Sequence, residues 1–143
     1  MSQTKKDSGG VTQTTILTQD LHIRDPFILP IKNQYLLYKS AGGKNGFCVY
    51  RSTDLVHWFG PKSVFTPDDK FWADRDFWAP EVHRYKNRYY LFASFKAEGK
   101  CRGTQILVSR SPEGPFVPLT AKPITPSDWE CLDGTLYVDK NNV

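Results

Sequence analysis

The sequence predicts an all-β protein built from propeller blades, and three observations support this prediction. Aromatic residues make up 14% of the 143 residues, which favours strands. No stretch of useful length repeats its apolar residues at helical spacing. The pair Lys-Asn recurs every 54 residues, at Lys32, Lys86 and Lys140, within a repeating pattern of strands and turns. A repeat of about fifty residues that holds three or four strands is typical of a β-propeller blade.

Each repeat has the same order of elements. The first unit has an apolar strand, "DPFILPI", a Lys-Asn turn, an aromatic strand, "QYLLYKS", and a third strand, "GFCVYRS". The second unit has "APEVHRY", the same turn, "RYYLFAS" and "TQILVSRS", and a turn region with a fourth strand ends both units. Two strands joined by a short polar turn indicate a hairpin. We therefore predict a flexible N-terminal arm over 1–20, blade I over 21–74, blade II over 75–128 and the start of blade III over 129–143.

Composition and charge argue against several classes of protein. The formal net charge is +4, but the charges are scattered, so we predict no nucleic-acid partner. We also predict no membrane association, because no apolar run approaches the length of a membrane span. The start, "MSQTKKDSGGVTQTT", has no apolar stretch of the kind found in a secretory signal. The three cysteines lie far apart and indicate neither a disulfide framework nor a zinc site.

The most informative positions are the heads of the first strands. Asp25, Ala79 and Asp133 are equivalent in the 54-residue register, so we expect them on one circle near the propeller axis. Alternation along a strand puts further side chains on the same side: Phe27 with Asp25, Glu81 and His83 with Ala79, and Thr135 and Tyr137 with Asp133. Two carboxylates at one end of a channel suit glycoside hydrolysis. Asp25 taken alone is equally a turn residue or an ion-pair partner of Arg24, and Asp133-Gly134 is also the sequence of a type I′ turn.

Three motifs at these heads resemble those of glycoside hydrolase family 43. They are "RDPFIL" with Asp25, "FWAPEVH" from Phe77 to His83, and "LDGTLYVD" with Asp133, in the family's order, and the resemblance covers the chain from Leu21 onward. It implies a five-bladed propeller, of which the chain covers about two blades and the start of a third. It also implies inverting cleavage of α-L-arabinofuranosides or β-D-xylosides.

The resemblance also implies roles for individual residues. Asp25 is expected to be the general base, and Asp133 to adjust the pKa of the general acid and to orient it. The acid is a glutamate on the family's fourth blade, beyond Val143, so we predict no more than trace hydrolysis by this chain alone. The candidate substrate-binding residues are Trp78, Phe27, Glu81 and His83.

Each binding assignment has a structural alternative. Trp78 either stacks on a sugar ring or packs inside a blade, Phe27 either lines the pocket or packs, and Glu81 and His83 either face the channel or form a hydrogen-bonded pair. Four acidic residues precede the strand heads on loops and are interpreted as solvated: Asp74, Asp76, Asp128 and Glu130.

Three functions stay open at this point. The first is a glycosidase whose partners are arabinan, arabinoxylan or xylan oligosaccharides. The second is a non-catalytic carbohydrate-binding propeller, and the third is a propeller used for protein contacts. We predict no cofactor and no metal site in this chain, since the ligands of a calcium ion in the full-length family fold would lie outside it. The sequence leaves the localisation open, although the resemblance favours an extracellular or periplasmic protein.

Overall fold

The chain forms strands almost throughout. The computed structural model describes residues 3–6, 12–43 and 45–141, with side chains from Thr14 onward. The parts of the predicted arm at 1–2 and 7–11, and the last two positions of the predicted third blade, 142–143, lie outside the described residues. The elements are β1 (Gln3–Lys6), β2 (Thr12–Leu17), a 3-10 turn (Thr18–Asp20), β3 (Phe27–Ile31), β4 (Gln34–Ser40), β5 (Phe47–Ser52), β6 (His57–Phe65), β7 (Arg75–Tyr85), β8 (Arg88–Lys96), β9 (Gly103–Ser109) and β10 (Val117–Pro118).

The strands form two sheets with antiparallel neighbours. One sheet has the order β1-β2-β6-β5-β4-β3 and the other the order β10-β9-β8-β7. Strands β3 to β6 form blade I and β7 to β10 form blade II, each as a four-stranded meander. The all-β prediction and the two hairpin-built units are therefore confirmed.

The 54-residue register is visible in the backbone. Lys32 and Lys86, which begin the two Lys-Asn turns, have φ angles of 46° and 43°. The three equivalent strand heads, Asp25, Ala79 and Asp133, have φ angles of 51°, 46° and 55°. These positions all lie in the left-handed region, which non-glycine residues adopt at a cost of roughly 1–2 kcal/mol each. The units therefore share an unusual local conformation as well as a pattern of apolar residues.

The main core lies between the two blades. It is an aromatic cluster in which Phe47 of β5 contacts the rings of Phe77 and Phe95 of blade II, at centroid distances of 6.1 and 5.7 Å. Phe47, Phe77 and Phe95 are all fully buried. Tilted and edge-on ring pairs of this kind add stability beyond the burial of their area. The two blades are thus held together face to face, as adjacent propeller blades are.

The structure differs from the sequence prediction at both ends. Strand β2, within the predicted flexible arm, pairs with β6, and the Trp58 indole N–H donates to Thr18 Oγ1 at 2.8 Å. Ile16 of β2 packs against a second buried cluster on blade I, as do Leu21 and Ile23 just after the predicted arm. This burial explains the ordered strand, and the β-branched residues of "TQTTIL" favour it. At the other end, 133–139 form no regular strand, because the first strand of a blade needs a second strand to complete its hydrogen-bond ladder.

Among the described residues, no helix has the length and apolar character that crossing a bilayer requires.

Candidate active site

Asp25 stands just before β3 as a free carboxylate. It is exposed, and among the described residues it has no hydrogen-bond or ion-pair partner, so the Arg24 ion pair is not formed. Its φ of 51° directly before Pro26 also departs from the extended conformation that a residue before proline prefers. Strain of this kind persists where the surrounding structure enforces it, and it clusters at functional sites. The backbone therefore presents an ionisable group to solvent in a conformation with an energetic cost.

Asp133 occupies the equivalent position on the third unit. It is exposed, and its backbone N–H donates to Ser94 Oγ of blade II at 3.0 Å. A type I′ turn requires positive φ at two successive residues, and Gly134 does not have it. Glycine is needed at 134 for another reason, since a Cβ atom there would lie 2.6 Å from Thr104 Cγ2. The segment that carries Asp133 is therefore packed closely against blade II and does not form the alternative turn.

Three of the four candidate binding residues come together with a residue of the third unit. The His83 and Phe27 rings are 5.6 Å apart between their centroids, in a tilted arrangement that joins blade II to blade I. His83 Nε2 hydrogen-bonds Glu81 Oε1, and the Thr135 hydroxyl donates to the same oxygen. Glu81 and Thr135 are 54 residues apart, so equivalent positions of successive units are in direct contact. These contacts join the first strands of blades I and II and the third unit.

Trp78, the fourth candidate, lies apart from that cluster in an irregular part of β7. The pairing of β7 with β8 shifts register on each side of the Trp78–Ser94 pair, and Asp76 and Ala79 on either side have positive φ. Such bulges redirect side chains and are frequent beside active sites. As a result the preceding Phe77 is fully buried, while Trp78 is 39% exposed.

A charged group covers one face of Trp78, a contact that the sequence analysis did not predict. The Arg102 guanidinium carbon lies 3.8 Å from the centroid of the Trp78 ring. Arg102 Nη2 donates to Asp76 Oδ2 at 3.0 Å, and its backbone N–H donates to Glu130 Oε2 at 2.8 Å. The interpretation as a solvated loop residue is therefore wrong for Asp76, which lies within β7 and is paired with Arg102. Glu130 is exposed on a loop as expected, but it also has fixed hydrogen-bond partners. Partners 26 and 28 residues away in the chain leave no local pattern that would have revealed the contact.

The electrostatics of this network favour the ionised form of Glu130. A hydrogen bond from the Lys96 side chain, the largest effect, and one from the Arg102 backbone N–H hold the pKa of Glu130 below its ordinary value. Among the described residues, no group of three or more His, Cys, Asp or Glu side chains could hold a metal ion. The chemistry visible here consists of a solvent-facing carboxylate on a rigid strand end, an exposed indole and fixed hydrogen-bonding groups.

Comparison with known proteins points to one family. The sequence profile of glycosyl hydrolases family 43 matches residues 14–143. The crystal structure of an endo-arabinase from Bacteroides thetaiotaomicron VPI-5482 is similar, with a TM-score of 0.82 and 48% identity over 89% of this chain and 45% of that chain. A xylosidase/arabinosidase of Bacteroides ovatus is 31% identical over 81 residues, which are 52% of this chain and 25% of the relative.

A second curated relative is more distant. The extracellular endo-α-(1→5)-L-arabinanase 1 of Bacillus subtilis (strain 168) is 28% identical over 71 residues, which are 46% of this chain and 22% of the relative. The chain thus spans less than half the length of each of these proteins. The family profile and the endo-arabinase structure extend across both blades, and the prediction of a partial propeller is confirmed.

Proposed function

Because the chain belongs to glycosyl hydrolases family 43, we propose that it acts in the hydrolysis of arabinan, with inversion at the anomeric carbon. The observation that carries the proposal is the similarity to an endo-arabinase, at 48% identity over 89% of the chain. The relative from Bacillus subtilis is an arabinanase as well. Arabinan is accordingly the first substrate to test, and xylan is the alternative that the xylosidase/arabinosidase relative suggests.

In this proposal Asp25 is the general base. An inverting glycosidase holds two carboxyl groups roughly 6.5–9.5 Å apart, so that a water molecule fits between the base and the sugar. The Asp25 carboxylate takes a proton from that water, and the water oxygen forms a bond to the anomeric carbon as the glycosidic C–O bond breaks. A protonated acid on the opposite side delivers its proton to the leaving oxygen. The free, exposed state of Asp25 supports this role, because an ion-paired carboxylate would be a weaker base.

Asp133 has the supporting role. It lies one unit further round the ring than Ala79, and its position is held by the hydrogen bond to Ser94. We propose that its charge keeps the general acid protonated and oriented, since a nearby like charge raises the pKa of a carboxyl group. The acid itself is expected from a glutamate at the head of a fourth blade, outside residues 1–143.

We propose that Trp78, Phe27, Glu81 and His83 bind the substrate. Trp78 is exposed enough to stack on the apolar face of a sugar ring. Phe27, Glu81 and His83 form a connected wall across two blades. We propose that this wall limits the depth of the pocket and offers hydrogen-bonding groups to sugar hydroxyls.

The test is an assay of arabinan cleavage. Release of reducing ends from linear α-1,5-arabinan and from xylan is measured for the 143-residue chain and for a form extended through the fourth and fifth blades. We expect the extended form to cleave arabinan, to prefer it over xylan, and to give products of inverted anomeric configuration in early NMR spectra. The 143-residue chain should show only trace activity. Binding of arabinan without cleavage by the extended form would instead support the carbohydrate-binding propeller.

A further inference from the structure

We propose that Arg102 is a positioning residue that holds the Trp78 ring in place and leaves one of its faces to the substrate. The inference rests on the proposed function, because it assigns a device to the same site. The distance of 3.8 Å from guanidinium carbon to ring centroid is well within the range of about 6 Å for a cation–π contact. The Arg102 side chain is only 13% exposed. Because a partly desolvated cation binds an aromatic face more strongly than an exposed one, this contact restrains the ring.

Arg102 is itself held from two directions. Asp76, two residues before Trp78, accepts a hydrogen bond from Nη2 at 3.0 Å. Glu130 accepts from the Arg102 backbone N–H at 2.8 Å and lies 4.0 Å from Nε. The Lys96 side chain donates to the other Glu130 oxygen. Two cations and two carboxylates balance one another, so the network leaves no net charge beside a neutral sugar.

The segments that carry these residues are fixed by the backbone. The Cys131 N–H donates to the Arg102 carbonyl at 3.0 Å, and the Ile124 N–H to the Thr104 carbonyl at 2.9 Å. A Cβ atom on Gly103 would lie 2.7 Å from Pro123 Cβ, so the two segments are in close contact. The guanidinium therefore approaches Trp78 from a rigid support.

The position of Arg102 determines which part of the Trp78 indole a sugar can contact. The guanidinium covers one face, and the 39% of Trp78 that stays exposed must lie on the remaining face and edges. A ring that is already ordered loses less conformational entropy when a sugar stacks on it. Arg102 thus contributes to affinity without contacting the sugar, and removing it should both loosen the ring and weaken binding.

The experiment follows the four indole N–H signals of the ¹⁵N-labelled chain, with Trp78 assigned through Trp78→Phe. The main variant is Arg102→Met, which keeps most of the side-chain volume without the cation. We expect the heteronuclear NOE of the Trp78 indole to fall, and the Kd for an α-1,5-arabino-oligosaccharide to rise about tenfold, the upper part of the cation–π range. Lys100→Met is the matched control, because Lys100 lies 6.0 Å from the ring of Trp72 and should leave Trp78 and the Kd unchanged.

A second variant covers the case in which Arg102→Met does not fold. Glu130→Gln alters a half-exposed side chain and keeps Arg102, so we expect a smaller fall in the NOE and a Kd raised about twofold, as for an exposed ion pair. An unchanged NOE for Trp78 in both variants overturns the proposal. A Kd that rises while the NOE is unchanged also overturns it, since Arg102 would then contact the sugar directly. Failure of the unaltered chain to bind the oligosaccharide counts against the proposed function, while the NOE comparison still decides whether Arg102 orders the ring.

Discussion

The heads of blades I and II share a backbone conformation and differ in chemistry. Asp25 and Ala79 are equivalent in the 54-residue register, both precede a proline, and their φ angles are 51° and 46°. One carries a free carboxylate and the other a methyl group. The unusual conformation is therefore a property of the repeat, and the side chain placed on it determines the function. Strain at Asp25 alone would be weak evidence for catalysis, because the same strain occurs at an alanine.

The two blades also differ in how they close the turn after the third strand. In blade I, Asp54 Oδ1 accepts hydrogen bonds from the N–H groups of Val56 and His57, each at 2.8 Å. Both turns have a serine hydroxyl that accepts from the N–H two residues on, Ser52 in blade I and Ser109 in blade II. The position of Asp54 is taken in blade II by Ser111, whose neutral hydroxyl accepts from the Glu113 N–H. One turn thus depends on an ionised group and the other does not. The same architecture is stabilised with and without sensitivity to pH.

The largest effect on stability is expected at the contact that the two blades share. Phe77→Ala removes a fully buried ring that lies 5.0 Å from Phe95 and 6.1 Å from Phe47, between centroids. We expect the free energy of unfolding to fall by about 3–5 kcal/mol, the usual cost of deleting a buried aromatic ring. Urea unfolding monitored by circular dichroism measures the change. Leu119→Ala, at a residue 49% exposed, is the control and should change stability by less than about 0.5 kcal/mol.

At the strand heads we expect a smaller change in the free energy of unfolding, and an increase instead of a decrease. Asp25→Gly and Ala79→Gly replace residues with positive φ by the residue that adopts this region without steric cost. We expect each to raise the free energy of unfolding by about 0.5–1 kcal/mol, after allowing for the greater entropy of glycine in the unfolded chain. Ala121→Gly provides the comparison, because Ala121 is exposed and has no positive φ, and this variant should lose stability. A loss of stability in both strand-head variants would show that the shared conformation is not strained.

The smallest effect on stability is expected at the turn of blade I, and it should depend on pH. Hydrogen bonds from the His57 backbone, the His57 side chain and the Val56 backbone lower the pKa of Asp54 from its ordinary value of 3.8. A carboxyl group whose pKa is lower in the folded state stabilises the protein above the unfolded value, and this contribution is lost as the pH falls below it. Asp54→Ser, which imitates the turn of blade II, should lower the urea midpoint at pH 7, and the difference should shrink as the pH falls below 3.8.

The matched control is Ser111→Ala in the turn of blade II. Its effect on the urea midpoint should stay constant over the same pH range, because the lost hydrogen bond involves a neutral hydroxyl. A pH-independent effect of Asp54→Ser would contradict the role given to the Asp54 charge.

The sequence predicted the features that repeat and missed those that do not. The Lys-Asn turns and strand heads recur at a fixed spacing, so the two blades and the equivalent strand positions of Glu81 and Thr135 followed from the register. The pairing of β2 with β6 depends on burial against Trp58, and the contact of Arg102 with Trp78 depends on partners from distant segments. Such contacts join distant segments of the folded chain, so no pattern within a single unit of the repeat predicts them.

The central claim is that the Asp25 carboxylate, at the head of blade I, is the general base, and that the backbone conformation it shares with Ala79 is not. It is tested most directly by the rate of arabinan hydrolysis of the Asp25→Gly variant, in the form extended through the fourth and fifth blades. We expect the rate to fall by roughly 10²–10⁴-fold, as on loss of a general base, although the variant is no less stable than the unaltered protein. Ala79→Gly, which changes the equivalent backbone position without removing a carboxylate, should leave the rate unchanged. An Asp25→Gly variant that cleaves arabinan at the unaltered rate would contradict the account and return Asp25 to the role of a turn residue.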